Sequence, residues 1–81
     1  MDVLYFAWLR ERIGASKERI ETKAATVNDL VEELKTLSEA HALAFSDMAS
    51  VRVAVDQELT DMDASIATAR EVAFFPPMTG G

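Results

Sequence analysis

The sequence predicts an α+β roll, a mixed sheet with one main helix packed across it, and three observations predict it. Residues 3–9 (VLYFAWL) and 72–75 (VAFF) are apolar, aromatic-rich runs near the two ends of the chain, which read as strands built into a core. Between them Val27, Leu30, Val31, Leu34 and Leu37 recur at spacings of three and four, the stripe of a helix buried on one side. Val51, Val53 and Val55 alternate with Arg52 and Ala54, the pattern of a half-buried strand. Setting the first and last strands side by side and parallel requires a crossover connection, and the intervening helix supplies it.

Taken in order, residues 3–9 form a strand covered on at least one side, and residues 10–13 a short helical turn that Gly14 ends in the left-handed conformation. Lys17, Glu18, Arg19 and Glu21 surround a single Ile20, which is how an edge strand discourages pairing with strangers. Thr26 then stands at an N-cap with Asp29 three residues on, opening a helix of about eleven residues, roughly 16 Å long. Glu32, Glu33 and Lys35 form its solvated face. Residues 38–50 allow two readings, a further short helix capped by Ser38 and running through Leu43 and Phe45, or a partly ordered connection. The only histidine, His41, lies there without a cysteine or second histidine for a metal and without a nucleophile to activate, so it reads as a surface residue. Asp56 and Gln57 make a turn into a short strand at Glu58 and Leu59. Asp61, Asp63 and Ser65 belong to a polar connection pinned by Ile66, and they lack the spacing and glycine of a calcium loop.

Composition narrows the function. Eighty-one residues make one small domain, and 49% hydrophobic against 27% charged residues places it in the globular class. Fourteen acidic and eight basic residues give a net charge of −6, which repels phosphate backbones and anionic lipid: no nucleic acid and no membrane is the expectation. With no cysteine there is no thiolate nucleophile or thiolate metal site, and metal ligation is not expected at all. The opening MDVLYFAWLRER lacks a basic n-region and a long apolar segment, so a cytoplasmic location is expected.

Two consecutive prolines, Pro76 and Pro77, end the last strand by removing two ladder donors and fixing φ near −65°. A body of residues 1–75 is thus followed by an extended tail, residues 76–81, reaching at most about 20 Å. Met78, Thr79, Gly80 and Gly81 carry no side-chain charge, and two of the chain's three glycines stand at its end, where they suit a slot too narrow for a Cβ.

The octapeptide FFPPMTGG, with the VLYFAWLRERIG opening and RVAVDQEL before the last third, resembles the molybdopterin synthase small subunit (MoaD-like) family, sulfur carriers of the ubiquitin-like β-grasp class. The resemblance implies a β-grasp roll and a subunit that is not an enzyme on its own. It implies that Gly81 is adenylated with ATP by an E1-like adenylyltransferase (MoeB-like) and then thiocarboxylated from a persulfide. Gly80 would give access, and Thr79, Met78, Pro77 and Pro76 would line a tunnel in the large subunit (MoaE-like). There the sulfur would pass to cyclic pyranopterin monophosphate, in a heterotetramer, to build the dithiolene of the molybdenum cofactor. The chain itself binds no cofactor in this scheme and has no phosphate loop or nucleophile–base pair for the activation step. Phe75 lies on the opposite strand face from Phe74, and the family pattern favours Phe75, Leu59 and Phe6 as partner-binding residues, against an ordinary core role for each. The sequence departs from the pattern at Ala69 and Arg70, where many members have Gly-Asp, and at Asp56, where an asparagine is common. A thiamine-pathway sulfur carrier, a ubiquitin-like protein modifier and a plain interaction domain whose Pro-Pro pair is read by a partner are the rival readings.

Overall fold

In a computed structural model, residues 1–77 are described, and Met78, Thr79, Gly80 and Gly81 lie outside them. The order is β1 (Asp2–Tyr5), α1 (Trp8–Ile13), β2 (Lys17–Arg19), α2 (Val27–Lys35), α3 (Glu39–Ala44), a 3₁₀ turn (Met48–Ser50), β3 (Arg52–Val55), β4 (Glu58–Thr60) and β5 (Glu71–Phe75). The sheet runs β2-β1-β5-β3-β4. The chain's last strand is therefore its middle one, parallel to β1 with Tyr5 opposite Phe74 and antiparallel to β3 with Arg52 opposite Phe75. The first and last strands are adjacent and parallel, with the helices in the crossover between them, as expected. This is the β-grasp arrangement.

One face of the sheet makes the core. Val3, Tyr5, Val53, Val72 and Phe74 meet Leu9 of α1, Leu30, Val31 and Leu34 of α2, and Phe45 after α3, all buried. Phe45 and Phe74 pack edge to face with centroids 4.9 Å apart, and Tyr5 stacks beside Phe74 at 6.4 Å. Such pairs add about 0.5–1.5 kcal/mol each beyond the area they bury. Ile66 pins the long connection to β5, as its isolation among polar residues suggests.

Capping follows the sequence. Thr26 Oγ1 accepts from Asp29 N at 3.2 Å and Ser38 Oγ from His41 N at 3.1 Å, while Gly14 ends α1 at φ 88°. Asp56 and Gln57 both take positive φ, 49° and 70°, in the β3–β4 turn. That backbone suits Asn-Gly better, and Asp56 offsets part of the cost: its Oδ1 accepts from Arg70 N at 2.9 Å and Glu71 N at 3.0 Å, bracing the start of β5.

Three expectations are corrected. The first strand stops at Tyr5, because Ala7 turns the chain at φ 55° and Trp8 and Leu9 enter α1, where Leu9 is buried as a helical residue. The main helix has nine residues, ending at Lys35 with Thr36 as its C-cap, so Leu37 falls past its end and is 51% exposed. His41 is not on the surface: it is only 7% exposed, held by Ser38 and Glu18.

Candidate functional site

Alternation along the strands divides the sheet into two faces, and the one turned away from the helices carries the candidate site. Leu4, Ala73, Ala54 and Leu59 stand opposite one another across β1, β5, β3 and β4, an apolar row four strands wide. Leu59, at the edge, is 74% exposed. One pleat further along β5 lies Phe75, half-buried, with Arg52 opposite it. Phe6 follows β1 at the same end, its N–H donating to Phe74 O at 3.1 Å and its side chain 48% exposed.

The structure therefore sets Phe6, Phe75 and Leu59 on one face without stacking them together. Leu59 and Ala73 are two strand spacings apart, about 10 Å, with Ala54 between them. Sequence reasoning named the three large residues and missed Leu4, Ala54 and Ala73, which fill the row. Their signal was present in the alternation: each shares parity with a named residue on its own strand or its neighbour.

Apart from Arg52, charge on the same face is gathered at one end. At the far end, Asp2 sits between Lys17 at 3.7 Å and Arg19 at 3.6 Å, with Glu71 beside it across β5. The apolar end is where β5 runs into Pro76 and Pro77, both half-buried. The central strand of the sheet, held by partners on both sides, is thus the root from which the chain leaves. The residues expected to do the chemistry, Met78, Thr79, Gly80 and Gly81, lie outside the described residues, and of the tail set only Pro76 and Pro77 are placed.

Under the sheet, Ser38 Oγ lies 2.7 Å from His41 Nδ1, and His41 Nε2 lies 2.6 Å from Glu18 Oε1. The order hydroxyl, imidazole, carboxylate resembles an acyl-transfer relay. It is not arranged as one: the Ser38 hydroxyl serves as the α3 cap, and the imidazole is enclosed between β2 and α3. Tyr5 donates to the same Glu18 oxygen at 2.8 Å, and burial first, then Glu18, pushes the Tyr5 hydroxyl far above the usual phenol range, so it remains a donor. Among the described residues no group of His, Asp or Glu is placed to hold a metal ion, and no helix is long and apolar enough to cross a membrane.

A model of the ThiS family matches residues 3–81. The chain is 36% identical over 81 residues to the molybdopterin synthase sulfur carrier subunit of Haemophilus influenzae, covering 100% of this chain and 99% of that one. It is 38% identical over 79 residues to the Escherichia coli protein of the same name, covering 98% and 96%. Among solved structures, SAMP1 from Haloferax volcanii superposes with a TM-score of 0.73 at 27% identity, covering 100% of this chain and 98% of that one. A putative molybdopterin converting factor, subunit 1, from Pyrococcus furiosus has a TM-score of 0.73 at 31% identity, covering 95% of each chain.

Proposed function

This chain belongs to the ThiS family, among its molybdopterin synthase sulfur carrier subunits, and we propose that it carries sulfur on its own C-terminal carboxyl group. The observation that supports the reading best is the full-length likeness to two carriers combined with the position of the Gly-Gly end, a few residues beyond the central strand. A carboxylate is a poor acyl donor because its leaving group is oxide. Adenylation with ATP by an E1-like partner (MoeB-like) releases pyrophosphate and makes AMP the leaving group. The outer sulfur of a partner's persulfide then displaces AMP to give an acyl disulfide, and a second thiol of the partner cleaves its S–S bond, forming a disulfide there and leaving a thiocarboxylate on Gly81.

Residues 76–81 are the tail in this proposal. Gly80 and Gly81 enter a tunnel of the large subunit (MoaE-like), lined against Thr79, Met78, Pro77 and Pro76, and the sulfur passes to cyclic pyranopterin monophosphate. The apolar row with Phe75, Leu59 and Phe6 lies at the end of the sheet where β5 meets the prolines, so one partner surface can cover the row while taking the tail. The chain supplies binding and the acyl group, and its partners, in a cytoplasmic heterotetramer, supply the reaction.

Deleting Gly81 tests this directly. A synthase reconstituted with the shortened chain loses sulfur transfer, the loaded protein no longer shows an oxygen-to-sulfur exchange in its intact mass, and thermal unfolding is unchanged. Retained transfer overturns the assignment. The likeness to SAMP1, described in a second Haloferax volcanii structure as small archaeal modifier protein 1, favours a further reading as a protein modifier. Lysine conjugates ending in Gly81, isolated from cells, would establish it.

A further inference from the structure

A second group of side chains lies on the helix side of the sheet, away from the proposed docking row. Glu18 is the middle residue of β2, opposite Val3 and therefore turned to the core side, between Lys17 and Arg19, which turn outward. Its Oε1 takes the Tyr5 hydroxyl from β1 at 2.8 Å and His41 Nε2 from α3 at 2.6 Å. Three elements meet at one carboxylate oxygen.

Within α3 itself little is buried. Of its six residues only His41 and Ala44 are buried, and Leu43 is 63% exposed. The groups facing Glu18 and His41 are Tyr5 from β1, Ser38 at the helix start, and each other. Lys17 and Arg19 are engaged with Asp2 on the other face, and Glu39 at the start of α3 is exposed. Among the described residues, neither α1 nor α2, which both pack against α3, brings another charge within ion-pair distance of the two.

We infer that the ionised Glu18 carboxylate is an acid-released catch for α3, whose protonation lets α3 and the following Phe45 lift away while the sheet stays folded. Elements with few buried contacts open locally at lower free energy than the core they cover. Phe45 is the ring that closes over Phe74, so the opening reaches the strand from which the tail departs. Burial alone would raise the Glu18 carboxyl, but the hydrogen bonds from His41 and Tyr5 and the charge of His41 outweigh it and hold it below its ordinary value of 4.5. The sign follows: the catch is at full strength above 4.5, weakens as the pH falls from there, and is lost once the pH passes the lower folded value.

Hydrogen exchange followed residue by residue between pH 7 and 3 tests the catch. The Ala42 and Phe45 amides, bonded to Ser38 O and His41 O, lose protection by up to about tenfold per pH unit between the ordinary glutamate value and the lower folded one, the limit that one linked proton sets, while the β1 and β5 amides keep theirs. Glu18→Gln removes this step and leaves α3 weakly protected at every pH. Should that variant not fold, His41→Gln, which retains a donor toward Glu18 without the charge, shrinks the step. Loss of α3 and sheet protection at the same pH in the wild-type chain overturns the inference, as does an undiminished acid step in Glu18→Gln.

Discussion

Phe74 and Phe75 are neighbours in the chain and belong to different surfaces. Phe74 is fully buried, stacked beside Tyr5 and closed over by Phe45, whereas Phe75 lies half-buried on the opposite face at the edge of an apolar row. The strand period of two puts one ring into the core and turns the other to the outer face, the face proposed for a partner. The same division runs through the sheet: Val3, Tyr5, Val53 and Val72 look inward, and Leu4, Ala54, Ala73 and Leu59 look outward.

The largest effect expected from breaking this division is on the inner ring. Phe74→Ala removes a ring that touches two others and should cost about 3–5 kcal/mol, a large part of the 5–15 kcal/mol typical of a domain. A fall in melting temperature of roughly 15 °C or more would confirm it, and a shift of only a few degrees would show that the core repacks. The outer face should answer in the opposite currency. Phe75→Ala and Leu59→Ala are each expected to weaken binding to the large subunit by about 1–2 kcal/mol, roughly 5- to 30-fold. Leu59→Ala should leave stability within about 0.5 kcal/mol, since its side chain is mostly in water already. Calorimetric titration beside thermal unfolding separates the two. Unchanged affinity with lost stability would return both residues to an ordinary packing role.

Much of this was legible in the chain. The parallel first and last strands followed from two apolar runs and the helix between them, the Thr26 and Ser38 caps from hydroxyl residues ahead of helical segments, and the Gly14 stop from its left-handed backbone. Alternation alone assigned Phe74 and Phe75 to different faces. What failed were features set by distant neighbours. His41 is buried because Glu18, 23 residues away, turns inward from the edge strand to meet it. An inward charge between two outward ones is visible as Lys17-Glu18-Arg19, but its partner is not. Leu37 continued a helical period past Lys35, where the helix ends, because periodicity records spacing and not termination. Ala7 turns the first strand into α1 with a positive φ that no glycine announces. The chemistry proposed for the tail rests on likeness to a family alone, because glycine and proline describe access and not reaction.

Phe6 is the residue on which the comparison is finest, and Phe6→Ala should have the smallest effect on binding. It stands just past the end of β1, where alternation still turns it outward but the ladder has ended and Ala7 is about to redirect the chain. Its backbone contact to Phe74 O is independent of its side chain and survives the substitution. The ring is about half exposed, at 48%, so truncation removes only half of a phenylalanine's usual burial, and the loss of stability should stay near 1 kcal/mol. If the partner surface stops at β5, binding is unaffected. If it reaches across β1, affinity falls by a further few-fold, and the sum of the Phe6 and Phe75 single effects should differ from the double variant, because neighbouring hot-spot residues are not additive. A double-mutant cycle of Phe6→Ala and Phe75→Ala therefore measures how far across the sheet the docking surface extends, and strict additivity with no loss from Phe6→Ala alone would confine it to β5, β3 and β4.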